Sequence, residues 1–105
     1  MIEVGHAVVI YLREPREQYW GVLRRLDVVG VSLEGCDVAI FDTWLARVEA
    51  GLGNGELSVY FFPTRRIEKV LLDRGLPGVP SCGERFENAV GETPTAWLNA
   101  GQGSA

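Results

Sequence analysis

Gly21 interrupts a pattern that is otherwise typical of one long β-strand, in the block QYWGVLRRLDVVGVSL over residues 18–33. A glycine inside a strand marks a bend or a close backbone approach, because a side chain there collides when a small sheet curls on itself. Apolar residues continue on both sides of the glycine, and a second apolar segment follows after Asp27. The block therefore predicts a long bent strand that serves both halves of a small β-barrel.

The size and charge of the chain limit what such a barrel can do. The chain has 105 residues, of which 47% are hydrophobic, and its formal net charge is −4. A chain of this size forms one domain with a single modest core. A chain with a net negative charge lacks the positive electrostatic field with which many proteins hold nucleic-acid phosphates. Any contact with nucleic acid is therefore expected to be local.

Four further segments complete a set of five predicted strands. Alternating or continuous apolar patterns, rich in β-branched and aromatic residues, predict strands at residues 7–12, 28–34, 57–62 and 67–72. A single tight turn, Pro63-Thr64-Arg65-Arg66, separates the last two. The count of five strands with one tight turn before the last one favours a small barrel.

The segment between the third and fourth strands predicts a short helix. Residues 38–41 are consistent with a short strand, and residues 43–50 with a helix that Asp42 caps and that ends before Gly51. The glycine-rich stretch GLGNGE that follows, at residues 51–56, predicts a flexible turn.

The composition changes after Gly75. Residues 76–105 contain three prolines and five glycines and show no sustained periodicity, which is typical of an irregular segment. We therefore predict a barrel domain over residues 1–75 and a Gly/Pro-rich C-terminal extension over residues 76–105. Trp97 and Leu98, or a turn around Phe86, are the expected anchors of this extension.

The first strand block resembles a known motif. A glycine, two spaced hydrophobic residues and an aspartate at Gly21, Leu23, Leu26 and Asp27 are similar to the first motif of the Sm/Lsm family, which includes the bacterial Hfq proteins. The resemblance covers residues 7–74, about two thirds of the chain. It implies a fold that is mainly all-β: a five-stranded, strongly bent Sm-like (SH3-like) small barrel, here with a short helix at 43–50 and an irregular C-terminal extension.

The same resemblance implies how the barrel assembles and what it binds. In the family, the fourth strand of one subunit joins the fifth strand of its neighbour to close a ring, and residues near the pore bind RNA. The RNA-binding motifs are degenerate in this chain: Gly30 and Val31 stand where an asparagine is expected, and Pro63-Thr64 replaces an Arg-Gly pair. A shared fold does not by itself imply a shared function.

Three residues are candidates for binding RNA or another anion. Arg65 and Arg66 lie in the turn that faces the pore in a ring, where several copies would form a positive belt. Asp27 is the family's candidate for positioning a base. The alternative for the arginines is a solvated or ion-paired surface turn, and the alternative for Asp27 is capping of a tight turn.

The fourth and fifth strands are the candidates for an interface. The fourth is apolar on both faces and carries no proline or lysine to blunt its edge, so it invites pairing with another strand. The predicted interface residues are Leu57, Val59, Tyr60, Phe62, Ile67 and Val70.

The sequence predicts no catalytic residues, metal or cofactor. It contains one histidine and two cysteines, Cys36 and Cys82, which lie far apart and form no metal-binding or redox motif. The first residues carry no basic segment, and the longest apolar runs are too short for a bilayer. We therefore expect a cytoplasmic non-enzyme that does not contact a membrane.

Three functions fit these observations. The first is a homo-oligomeric ring that binds RNA or another anion through the arginine turn. The second is a scaffold that binds another protein through its aromatic surface or its C-terminal extension. The third is a monomeric SH3-like barrel that binds a peptide and no nucleic acid.

Overall fold

The computed structural model describes residues 1–52 and 57–101. Its five strands are β1 (Ala7–Leu12), β2 (Glu17–Leu26), β3 (Gly30–Asp37), β4 (Ser58–Pro63) and β5 (Ile67–Leu72). Its three α-helices are α1 (Phe41–Glu49), α2 (Cys82–Val90) and α3 (Pro94–Asn99). Two short 3₁₀ turns, Val38–Ile40 and Thr64–Arg66, precede α1 and β5. Most of the turn predicted at residues 51–56 lies outside the described residues.

The strands form one antiparallel sheet in the order β4-β3-β2-β1-β5. The prediction of a five-stranded, mainly β fold is confirmed. The sheet is not closed into a barrel, however, because within the described residues β4 pairs only with β3 and β5 pairs only with β1. Two strand edges are therefore left without a backbone partner.

The second strand is bent. At its C-terminal end, the Thr64 hydroxyl donates to the Val28 carbonyl at 2.8 Å. At its N-terminal end, Arg66 donates to the Pro15 carbonyl at 3.1 Å. A straight strand of ten residues would separate its ends by about 33 Å, which is more than a three-residue turn and one arginine side chain can span. β2 therefore curves between these two contacts, and Gly21 lies near its middle.

Both faces of the curved sheet carry buried side chains. One core cluster contains residues from β1, β2, β3 and β4, and partly buried residues of β5 pack against it; its buried members are Val8, Ile10, Leu12, Leu23, Val31, Leu33 and Phe62. A second cluster lies on the opposite face, beneath the helices, and includes Trp20, Val22, Cys36, Trp44 and Phe86. Since residues of β4 and β5 share the first cluster, the sheet curls enough to bring its two edges toward one core.

Helix α1 begins earlier than the sequence predicts. The strand predicted at residues 38–41 is instead a 3₁₀ turn that leads directly into the helix at Phe41, with the Asp37 carboxylate accepting from the Ala39 N–H at 2.8 Å. Asp42 lies inside the first turn of α1 and does not cap it. The predicted helix starts two residues late because Phe41, which is fully buried, fits either a strand or a helix pattern.

The C-terminal extension contains two helices, so the prediction of an irregular segment is wrong for residues 82–90 and 94–99. Ser81 and Glu84 form a reciprocal capping box at the start of α2, and Thr93 caps α3 with Pro94 at the first helical position. The prediction of the anchors is confirmed: Phe86, Trp97 and Leu98 are all buried. The extension covers one face of the sheet.

Candidate anion-binding site

The turn between β1 and β2 is tied to the 3₁₀ turn Thr64–Arg66. Arg66 Nε donates to the Arg13 carbonyl at 2.9 Å, and its Nη2 donates to the Pro15 carbonyl at 3.1 Å and to Glu17 Oε1 at 3.0 Å. In return, Arg13 donates from its backbone N–H to the Arg66 carbonyl and from Nη2 to the Ile67 carbonyl, both at 2.9 Å. One arginine side chain therefore fixes the relative position of two turns.

This contact gathers basic side chains at one end of the sheet. We call the set the basic cluster; its members are Arg13, Arg16, Arg65, Arg66 and Lys69, which are half of the ten basic residues in the chain. Arg16 and Arg65 are exposed, and neither forms an ion pair in the part of the chain that the structure describes. Guanidinium groups with free donors are the usual ligands of phosphate and carboxylate.

The two predicted arginines occupy different environments. The Arg66 guanidinium is committed to two backbone carbonyls and to Glu17, and about a quarter of its side chain is exposed. Arg65 points into solvent. Arg66 therefore builds the site, and Arg65 is the residue of the pair that is free to meet a ligand.

Asp27 caps the turn between β2 and β3. Its carboxylate accepts from the backbone N–H groups of Val29 at 2.9 Å and Gly30 at 3.2 Å, and it pairs with Arg25 Nε at 2.7 Å. Backbone donation from Val29, then from Gly30, and the contact with Arg25 lower the pKa of Asp27 from its ordinary value. All of these contacts stabilise the turn itself.

The turn of Asp27 also reaches the arginine turn. Thr64 donates from its backbone N–H to the Val29 carbonyl at 3.0 Å and from its hydroxyl to the Val28 carbonyl at 2.8 Å. The structure therefore ties the turn that Asp27 caps to the turn that contains Arg65 and Arg66. Among the described residues, no hydrogen bond or ion pair of the Arg65 side chain is seen, whereas Asp27 and Arg66 have several.

A shallow cleft adjoins the basic cluster. Its volume is about 610 Å³, and Tyr11, Arg16, Gln18 and Lys69 are among the residues that line it. Lys69 Nζ lies 4.7 Å from the centre of the Tyr11 ring, a cation–π distance. Glu17, Asp37 and Glu68 line the same cleft, so its walls carry both signs of charge.

Most of the basic cluster was absent from the sequence prediction. Arg13 and Arg16 belong to the segment REPRE after the first strand, which the sequence analysis treats only as a break between strands. Two arginines beside a proline in a strand connection are a weak signal by themselves. They become part of the site because Arg66, more than fifty positions later, bonds to their turn.

The predicted interface residues divide between buried and exposed positions. Leu57 and Phe62 are each 8% exposed and belong to opposite core clusters. Tyr60, Ile67 and Val70 are partly buried against the cluster that contains Phe62. Val59 is 70% exposed, so it is the member of the set whose side chain is available to another molecule.

Two further apolar side chains near the free edges are exposed. Phe61 of β4 is 53% exposed and Leu71 of β5 is 44% exposed. Alternation along β4 places Phe61 on the same face as Val59, while Tyr60 and Phe62 turn to the core. Val59 and Phe61 therefore form an apolar strip beside an unpaired edge.

The described residues contain no metal cluster or membrane-spanning helix. Within residues 1–52 and 57–101, no group of three His, Cys, Asp or Glu side chains is arranged to hold a metal ion. None of the helices in those ranges has the length and apolar character needed to cross a membrane. No family model, no curated protein and no solved structure matches this chain.

Proposed function

We propose that this chain is a non-catalytic Sm-like module that assembles with copies of itself through its strand edges and binds RNA or another polyanion through the basic cluster. The observation that carries the proposal is the bonding of Arg66 to the β1–β2 turn. It concentrates half of the basic residues at one end of an otherwise acidic chain. Glu17, Asp37 and Glu68 offset part of this charge, so Arg16 and Arg65, which are exposed and form no ion pair among the described residues, are the groups proposed to hold phosphates.

The architecture supports the Sm-like part of the proposal. The five strands, the bent second strand and the single short turn between β4 and β5 agree with part of what the resemblance implies, although the sheet is not closed into a barrel. The edges remain unpaired within one chain, and the fourth strand carries the exposed side chains of Val59 and Phe61. Pairing of β4 with β5 of another copy would satisfy both edges at once, and repetition of that contact closes a ring.

Assembly would also raise the affinity of this site for a polyanion. Within the basic cluster, Arg16 and Arg65 are exposed and form no ion pair with the described residues, and each exposed contact with a phosphate is weak by itself. When several copies lie side by side on one polyanion, the second and later contacts form at a high effective concentration. The proposal therefore links binding to oligomeric state.

The test measures both properties on the full chain. Light scattering gives the subunit number, and fluorescence anisotropy with a labelled oligouridylate and an oligodeoxynucleotide of equal length gives binding at two salt concentrations. We expect an oligomer that binds at low salt and loses affinity steeply as salt rises, because bound phosphates release counterions. Arg65→Gln and Arg16→Gln should each weaken binding.

A matched variant separates the site from the total charge. Arg47 is exposed on α1 and lies outside the basic cluster, so Arg47→Gln removes the same charge from another surface. Equal loss of binding in Arg47→Gln and Arg65→Gln contradicts the basic cluster as the site. A monomer that retains neither oligonucleotide at low salt contradicts the whole proposal and favours a monomeric peptide-binding or scaffolding domain instead.

A further inference from the structure

The two cysteines of the chain pack into the same core cluster, where α2 covers the sheet. Cys36 lies in β3, is 3% exposed and belongs to the core cluster beneath the helices. Cys82 is the first residue of α2, is partly buried and packs against the same cluster. Both are free thiols. Two residues that the sequence separates widely therefore share one apolar environment.

One carboxylate fixes the start of α2 to the Trp20 side chain. Asp73 Oδ2 accepts from the Gly83 backbone N–H at 2.7 Å and from the Trp20 indole Nε1 at 3.2 Å. Trp20 lies directly opposite Cys36 in the pairing of β2 with β3, and Gly83 follows Cys82 in the chain. Asp73 Oδ2 therefore binds both Trp20, the strand partner of Cys36, and Gly83, the residue after Cys82.

The electrostatics of the two thiols agree with this placement. Burial raises the pKa of Cys36 to about 12, and the charge of a Cys82 thiolate is the next largest cause. Burial also raises the pKa of Cys82, to about 11, with the charge of Asp73 as the next cause. The charge of Cys82 therefore acts on Cys36, in agreement with their places in one core cluster.

We propose that Cys36 and Cys82 form an intramolecular disulfide when the chain meets a low-molecular-weight disulfide such as oxidised glutathione. The Cys82 thiol gives up its proton, and its sulfur attacks one sulfur of the reagent. This forms a mixed disulfide and releases one glutathione thiolate. The Cys36 sulfur, after losing its proton, then attacks Cys82 Sγ and releases the second glutathione thiolate. Two protein thiols are oxidised and one reagent disulfide is reduced.

The order of the two attacks follows from exposure. Cys82 is partly open to solvent, whereas Cys36 is almost completely covered. The reagent therefore reaches Cys82 first, and Cys36 acts as the resolving thiol from inside the core. The product joins β3 covalently to α2 and closes a loop that contains α1, β4 and β5. A cross-link of this kind restricts the unfolded chain and holds the C-terminal helices on the sheet.

The experiment uses the full, reduced chain and oxidised glutathione, with intact mass and non-reducing electrophoresis as readouts. We expect the wild-type chain to lose two hydrogen masses, to keep no glutathione and to remain a single chain. Cys36→Ser should stop at one stable glutathione adduct on Cys82, and Cys82→Ser should not react while folded. The oxidised wild type should melt several degrees above the reduced protein.

The wild-type mass decides the proposal even if a variant folds poorly. A folded wild type that keeps a glutathione adduct, that becomes linked between chains or that stays reduced contradicts an intramolecular pair. Chain unfolded in urea supplies the control, because both cysteines should then carry adducts. The inference does not depend on the proposed binding of RNA, so either can fail without the other.

Discussion

Gly21 of β2 and Gly35 of β3 lie directly opposite each other, so that neither strand has a side chain at this point of the sheet. A Cβ atom on Gly21 would stand 2.4 Å from the Glu34 carbonyl oxygen, and one on Gly35 would stand 1.9 Å from the Trp20 carbonyl oxygen. The obstacles are backbone atoms, which cannot rotate away. The paired glycines let the two strands approach closely where the sheet bends.

We expect Gly21→Ala and Gly35→Ala each to lower the free energy of unfolding by about 3 kcal/mol or more, since the backbone must move to admit the methyl group. Urea denaturation followed by circular dichroism measures the change. Ser58→Ala is the control, because Ser58 is exposed and lies opposite Gly35 on the other side of β3. A loss in Gly35→Ala as small as in Ser58→Ala would contradict the close approach.

Substitutions of the adjacent residues Arg65 and Arg66 should have different effects on stability and on binding. Arg66→Gln removes bonds to two carbonyls and to Glu17, so we expect the free energy of unfolding to fall by about 1–2 kcal/mol. Arg65→Gln should change it by less than about 0.5 kcal/mol, because Arg65 is exposed. Denaturation of both variants, together with anisotropy of labelled RNA, makes the comparison. Equal destabilisation by the two variants would show that Arg66 does not hold the turns.

A lysine at the free edge of β4 should block self-association without unfolding the chain. Val59 is 70% exposed on this strand, and Val59→Lys places a charge where an incoming strand would pack. We expect a smaller particle by light scattering with an unchanged Tm. Val79→Lys is the matched control, because Val79 is 61% exposed and lies outside the sheet. The same particle size in Val59→Lys and Val79→Lys would exclude β4 as the interface.

Asp73 should account for much of the docking of the C-terminal helices. Asp73→Ala leaves the Gly83 N–H and the Trp20 indole without their acceptor, and an unsatisfied buried donor costs about 1–3 kcal/mol. We expect a lower free energy of unfolding and earlier proteolysis within residues 76–101. Deletion of residues 76–105 should go further, since it uncovers the apolar face under Phe86, Trp97 and Leu98. A truncated chain with the same Tm and oligomer would contradict this role.

The buried thiols should make the reduced protein sensitive to alkali. Burial raises the pKa of Cys36 from 9.0 to about 12, so between these values the unfolded chain releases the thiol proton while the folded chain keeps it. The contribution of Cys36 is therefore complete below about pH 9 and falls by about 1.4 kcal/mol for each pH unit above it, and Cys82, whose pKa burial raises to about 11, adds a loss of the same sign over the lower part of that range. Urea denaturation at about pH 8 and pH 10.5 under reducing conditions measures this slope. Cys36→Ala should show a shallower slope, and an equal slope would assign the effect to other groups.

Local signals predicted the central part of the fold. Gly21 marks the bent strand because its cause, a missing side chain, is visible in the sequence. Its partner Gly35 was not predicted, because strand register depends on contacts between distant segments. Phe86 and Trp97 were predicted as anchors from their size, whereas α2 was missed although Ser81 and Glu84 supply a capping box. The prolines and glycines around those caps favoured an irregular segment.

The candidate site was predictable only in part for the same reason. Arg65 and Arg66 are adjacent and look equivalent in the sequence, but their roles differ because Arg66 reaches the carbonyls of Arg13 and Pro15. A long-range contact of this kind has no local signature. Asp27 is the opposite case: its bonds to Val29 and Gly30 are within three residues, and the capping alternative stated from the sequence describes the geometry that the structure shows.

The helices that cover one face of the sheet also restrict how this protein can be approached. Side chains of the strands form the core on one side of the sheet, and the C-terminal helices cover much of the other side. A partner with a broad, flat surface therefore finds little open sheet to bind. We therefore expect a partner molecule to bind along an edge strand, β4 or β5, or at the basic cluster. New binding partners would then be gained through substitutions at a few exposed positions of these regions, while the covering helices and the core stay unchanged.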